Sequence, residues 1–259
     1  MLSVRVRRLA VGMLASTITV SLIGCAPDRM PPTGTASTTP TPTASPTPAD
    51  PPKPVFNKKL YSIDDPTSIW VVADKLRPLN PANYVPPDLI ETPVPHLNPP
   101  TLRKAAADAM VAMFAAAAAE GAGGMQLQSA YRSYTTQVVV YNRYVQSAGK
   151  AGADAQSARP GFSEHQTGLA ADISPLPLKC ALAACFGQTP QGVWLVANAY
   201  RFGFLLRYPA DRVPVTGYMY EPWHFRYIGV ELATEMHNAG VTTLEEFFGL
   251  PAAPGYAGG

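Results

Sequence analysis

The chain has 259 residues, with 20 basic against 18 acidic side chains. That near balance leaves no strong field of either sign, so no nucleic-acid partner is expected. The first fifth is not globular in composition, and the remainder, about two hundred residues, suffices for one hydrophobic core.

At the N-terminus, Arg5, Arg7 and Arg8 precede an apolar stretch from Leu9 to Ile23 that is too short for a comfortable membrane span. Its end, Leu22-Ile23-Gly24-Cys25, resembles a bacterial lipoprotein signal. Residues 1–24 are therefore read as a signal peptide and Cys25 as the lipidated residue, which anchors the chain to the outer face of the bacterial cytoplasmic membrane. An ordinary secretory signal is the alternative. Residues 25–54 are nearly all Pro, Thr, Ala and Ser, a composition that builds no core, so a disordered Pro/Thr-rich linker is expected. As polyproline II it would reach roughly 90 Å at about 3.1 Å per residue, far enough to carry a domain into the surrounding wall. No later segment is long and apolar enough to span a bilayer.

Residues 55–250 are expected to form one compact α+β domain with a small central antiparallel sheet flanked by helices, followed by a flexible tail at 251–259. A short strand is predicted at Ile69–Val72, and His96 falls in a proline-punctuated loop. Asn98 can cap a helix that starts at Pro99 and Pro100 and ends before Gly121. Met125 to Ala130 alternates as a strand, with Tyr131, Arg132 and Ser133 at its end and a helix from Thr135 to Ala148 beyond. Cys180 and Cys185 are expected to pair, because an exported chain meets oxidising conditions. Thr189 caps the next helix, whose Trp194, Ala197 and Tyr200 are predicted to face inward. Strands follow at Phe202–Tyr208 and Trp223–Ile228, then a helix over Glu231–Ala239 carrying a solvated His237. A capping box at Thr242-Thr243-Leu244-Glu245 opens a last helix ending at Phe248.

Two segments carry chemistry. Ser163-Glu164-His165-Gln166-Thr167-Gly168-Leu169-Ala170-Ala171-Asp172 places an imidazole and a carboxylate on either side of a glycine, and Glu221-Pro222-Trp223-His224 offers a second imidazole. A lone His-Asp pair is more commonly structural. Together, His165, Asp172 and His224 supply the three protein ligands of a catalytic zinc with a fourth position open, leaving Glu221 as the base. On a regular strand neither 165/172 nor 221/224 would share a face, since both spacings are odd. Gly168 and Pro222 supply the breaks, which predicts His165 and Glu221 on loop ends, with Asp172 and His224 on strands. Arg132 at a strand end can grip a carboxylate or carbonyl, with a surface ion pair as the alternative, and Gln137 is a weaker candidate.

Ser129-Ala130-Tyr131-Arg132-Ser133, the 163–172 segment and Glu221-Pro222-Trp223-His224-Phe225-Arg226-Tyr227 together resemble the VanY-type D-alanyl-D-alanine carboxypeptidases, over about Ile69 to Phe248. Ala73-Asp74 departs from the asparagine more usual before the lysine. The resemblance implies one Zn2+ per chain held by His165, Asp172 and His224, with Glu221 as catalytic base and Arg132 and Ser163 on the peptide. Gln137 and Trp223 are further substrate-binding candidates, and Tyr131 a cleft wall. It also implies the small antiparallel sheet shared with lysostaphin-like enzymes and hedgehog zinc domains. The expected activity is D,D-carboxypeptidase action on peptidoglycan stem peptides by a monomer. The alternatives are an L,D-carboxypeptidase or endopeptidase on the same scaffold, or a non-catalytic zinc-bearing wall-binding module.

Overall fold

A computed structural model of the protein describes residues 55–258; the expected signal peptide, Cys25 and the linker lie outside them. The architecture is α+β, as expected. Strands β1 (Leu89–Glu91) and β2 (Thr101–Arg103) form a small antiparallel pair that leads into helix α1 (Lys104–Ala119). The helix buries Ala106, Met110, Met113 and Ala117, the one-face spacing of an amphipathic helix, and its alanines let the neighbouring elements approach closely. It begins five residues later than Pro99 because Thr101–Arg103 pairs with β1. Asn98 caps nothing; its amide donates to the Gln128 carbonyl at 2.6 Å.

The main sheet comprises β3 (Met125–Ser129), β4 (Ala170–Pro175), β5 (Phe204–Leu206) and β6 (His224–Tyr227), in the order β3-β4-β6-β5 with every neighbour antiparallel. All six residues of central β4 are buried, and Leu127, Ile173, Phe204 and Phe225 join α1 in the core. Helix α2 (Tyr134–Gln156) follows β3. Ser133 caps it, accepting from Thr136 N, and it is broken at Gly149, whose φ of 71° lies outside helical geometry. Helix α3 (Pro190–Asn198) is capped by Thr189. It turns Leu195 inward, whereas Ala197, expected to face the core, is exposed.

Short helix α4 (Val213–Thr216), α5 (Val230–Ala239) and α6 (Leu244–Phe248) complete the fold. A second cluster packs Trp70, Val72, Ile228, Leu232, Met236, Leu244 and Phe247, with the Trp70 indole donating to the Ile228 carbonyl. Residues 70–72 are buried and Ile69 is half-buried, but the segment forms no strand. Their carbonyls are taken instead by side chains, since Arg226 donates to both Ile69 O and Val71 O. Helix α6 is capped by Thr243 with Glu246, one residue later than the expected box, because Glu245 is drawn inward to Arg207.

The segment after Leu250 is not a flexible tail as far as it is described. Ala253 is 0 % exposed and its N–H bonds to Val215 O. The Tyr256 hydroxyl accepts from Arg159 N at 2.8 Å, and its ring lies under the Arg159 guanidinium at 4.1 Å. An aromatic with a satisfied hydroxyl gains enough apolar burial to offset the ordering of a short terminal segment.

Candidate metal centre

Asp172 and His224 lie 52 positions apart in sequence yet are directly paired residues on β4 and β6, so their side chains stand on one face of the sheet. His165 arrives from a 3-10 turn, Glu164–Thr167, that ends at Gly168 with φ 67°. A Cβ at Gly168 would meet Leu89 Cδ2 at 2.8 Å and Arg103 Cγ at 3.0 Å, so glycine is required both by conformation and by space. Glu221 to His224 forms a tight turn closed by His224 N–H to Glu221 O at 3.1 Å. The two expected breaks in regular structure are therefore those the chain uses.

The ligand atoms of His165, Asp172 and His224 all lie within 4.8 Å of one another, and all three residues line a cleft of about 820 Å³. The protons of the two imidazoles are assigned by their outer partners. His165 Nδ1 lies 2.8 Å from the Ala130 carbonyl, which only accepts, so Nδ1 carries the proton and Nε2 presents its lone pair. His224 Nε2 donates to the Glu164 carboxylate at 3.3 Å, which leaves Nδ1 as the free lone pair. Nε2 of His165 then faces Asp172 Oδ2 at 3.3 Å, and Nδ1 of His224 faces Asp172 Oδ1, also at 3.3 Å. These are acceptors turned toward acceptors, and Asp172 Oδ1 is buried without a hydrogen-bond partner. A cation resolves that arrangement, and two imidazoles with one carboxylate suit Zn2+.

The electrostatics agree. Burial opposes the charged form of Asp172, but His165 and His224 outweigh it and hold the carboxyl below the usual range. Burial likewise works to lower His224, yet Asp172 and Glu164 push it up to about 9, so that in the metal-free protein a proton takes the cation's place. Burial also lowers His165. Glu221 is pushed up to about 8, chiefly by burial, with His224 pulling against it; its Oε2 lies 3.7 Å from His224 Nδ1, beside the ligand set.

Arg132 sits where expected, past the end of β3, and lines the cleft. Its Nη1 donates to Gln137 Oε1 at 3.0 Å and its Nη2 to Ser129 Oγ at 2.9 Å. Ser163, Tyr131 and Trp223 line the same cleft. Gln137 does not: it is 0 % exposed behind Arg132, and its amide donates to Ser157 Oγ and Ala158 O. A helix position facing the protein rather than the cleft explains the difference. Cys180 and Cys185 form the expected disulfide, and Leu182 to Ala184 of its loop form part of the cleft wall. His96 and His237 stand apart, the first bonded to Val94 O and the second stacked on Tyr200 at 3.6 Å.

Sequence reading missed the support behind the ligands. Glu164 Oε1 accepts from Arg207 Nε at 2.9 Å and from Arg226 Nη1 at 3.0 Å, and Arg207 makes a two-pronged pair with Glu245 at 2.6 and 2.9 Å. All four side chains are fully buried. Burial works against the Glu164 carboxylate, but Arg207 and Arg226 overcome it and hold it well below its usual range. The available signal was the alternation of β6, which turns Arg226 to the face opposite Phe225.

A buried two-histidine, one-carboxylate set at the floor of a cleft, with an adjacent glutamate left free, defines a single-zinc hydrolase. Residues 99–230 match the family model VanY: D-alanyl-D-alanine carboxypeptidase. YodJ of Bacillus subtilis strain 168 is 41 % identical over 194 residues, covering 73 % of this chain and 70 % of that protein. The structure of the LdcB LD-carboxypeptidase is 40 % identical with a TM-score of 0.66, covering 71 % of this chain and 87 % of the other. That of the vancomycin resistance D,D-pentapeptidase VanY from a VanB-type cassette, a mutant in complex with Zn(II), is 31 % identical with a TM-score of 0.59, covering 70 % and 98 %. The chain belongs to the VanY family of zinc D-alanyl-D-alanine carboxypeptidases.

Proposed function

We propose that the protein removes the terminal D-alanine from peptidoglycan stem peptides, using His165, Asp172 and His224 to hold zinc. The observation that carries this reading is the pair of acceptor-to-acceptor contacts around Asp172, placed at the floor of a cleft with Glu221 in reach. When bound, zinc supplies Lewis acidity to the scissile carbonyl and to the attacking water. Glu221 takes a proton from that water and delivers it to the leaving amine as the C–N bond breaks and the new C–O bond forms. Arg132, its fork fixed by Gln137 and Ser129, keeps its remaining N–H groups for the peptide carboxylate or the developing oxyanion. Ser163 offers a hydroxyl to the substrate backbone, and Trp223 serves as a wall.

Similarity to the LdcB LD-carboxypeptidase favours one second reading, cleavage of tetrapeptide stems. Incubation of the domain with pentapeptide and tetrapeptide muropeptides, followed by mass spectrometry, separates the two. D-alanine release from the pentapeptide supports the D,D assignment; release from tetrapeptides alone sinks it.

The signal-like N-terminus and Cys25 support an exported, lipid-anchored enzyme acting in the wall, and the Cys180–Cys185 disulfide suits an oxidising compartment. Membrane retention that survives Cys25→Ser would defeat the anchor.

A further inference from the structure

We propose that Glu164 is a positioning residue that selects which nitrogen of His224 meets the metal, and that Arg207 and Arg226 enforce its choice. This rests on the reading of His224 as a zinc ligand.

The two oxygens of Glu164 divide their work. Oε1 receives two guanidinium N–H groups, Arg207 Nε at 2.9 Å and Arg226 Nη1 at 3.0 Å, while Oε2 faces His224 Nε2 at 3.3 Å. Neither arginine is free to turn. Arg207 is held by both oxygens of Glu245, and Arg226 by the carbonyls of Ile69, Val71 and Tyr227. The carboxylate is thereby fixed in one orientation, with an acceptor aimed at Nε2. A neutral imidazole has one donor and one acceptor nitrogen, so an acceptor at Nε2 leaves the lone pair on Nδ1, the atom facing Asp172. The four buried charges, two acidic and two basic, sum to zero, so the device adds no net charge beside the cation site.

This geometry makes the isosteric amide informative. In Glu164→Gln, the amide oxygen must occupy the Oε1 position, because an NH2 there would point at two donors. The NH2 is then forced onto His224 Nε2, which becomes the acceptor, and the imidazole proton moves to Nδ1, where the metal must bind. Glu245→Gln removes the same unit of charge from the same cluster but leaves the Glu164 carboxylate facing Nε2, so it controls for charge and packing.

The test measures zinc affinity by chelator competition and, in zinc-loaded protein, the 1H–15N signal of the His224 ring. Wild type should show a proton on Nε2. Glu164→Gln should bind zinc about 10- to 100-fold more weakly, the range for lost outer partners of ligating histidines, and its Nε2–H signal should lose the downfield shift of a proton held by a carboxylate. Glu245→Gln should stay within about threefold of wild type and keep it. Equal losses in both variants, or an unchanged affinity and Nε2–H signal in Glu164→Gln, would overturn the proposal. Should Glu164→Gln not fold, Glu164→Asp decides: its charge satisfies the arginines but its shorter reach leaves Nε2, so a wild-type affinity and ring signal there would also overturn it. His224→Ala separates the underlying reading, since zinc binding that survives it would remove His224 from the ligand set altogether.

Discussion

Gln137 touches Arg132 and not the cleft: its amide oxygen accepts from Arg132 Nη1 at 3.0 Å, while its amide nitrogen is spent on Ser157 and Ala158. It therefore acts on substrate through the angle of the guanidinium. Gln137→Leu is expected to raise KM with little change in zinc affinity. Arg132→Lys, which loses the fork, should lower kcat/KM by about 10²-fold, the scale for one transition-state donor. In a double-mutant cycle the two losses should be less than additive, whereas additive losses would mean that Gln137 contacts the peptide independently.

Glu221 separates metal binding from chemistry. Glu221→Gln should retain zinc and lose about 10²- to 10⁴-fold in kcat, the usual worth of a general base. Unchanged turnover in the presence of bound zinc would remove Glu221 from its role.

The same carboxyl carries a pH signature in the metal-free protein. Its folded pKa, about 8, lies above the unfolded carboxyl value, so between the two the folded state binds more protons than the unfolded state. Its contribution to stability is present below about pH 4.5 and is lost as pH rises through 8. With chelator present, thermal melts should show Glu221→Gln gaining on wild type from pH 5 to pH 8.5. A constant difference across that range would contradict the assignment.

Protons and zinc compete for His224 Nδ1. Because Asp172 and Glu164 push this imidazole up to about 9 against its burial, zinc must displace a proton at neutral pH. Apparent zinc affinity should fall by about tenfold per pH unit from 8 down to 6.5, read by competition with a chelator of known pH dependence. A flat profile would argue that His224 is not a ligand.

The disulfide closes a short loop whose Leu182 is 45 % exposed beside the cleft. Cys180→Ser/Cys185→Ser should cost about 2 kcal/mol in stability by loop-closure entropy, leave zinc content unchanged, and raise KM more for long muropeptides than for a short peptide. Equal KM for both substrate lengths would mean that the loop is not a substrate wall.

The sequence carried the chemistry of the centre more fully than its surroundings. His165, Asp172, His224 and Glu221 were legible because Gly168 and Pro222 mark the breaks that their odd spacings demand. Gln137 was misplaced because helical periodicity does not say which neighbour a polar face meets. The segment after Leu250 looked disordered from its composition, yet Tyr256 closes over Arg159, a contact between residues 97 positions apart. Glu245 read as a capping residue because local patterns are scored against local partners, and its partner Arg207 lies 38 positions away.

By itself, the sequence determined which side chains are able to ligand zinc and where the backbone must leave regular structure, because residue type and steric permission are local properties. Only the tertiary structure decided which imidazole nitrogen each histidine presents. That choice depends on Ala130 O for His165 and on a carboxylate pinned by two arginines for His224, partners that the antiparallel register of β4 and β6 and the packing of α6 bring together across the chain.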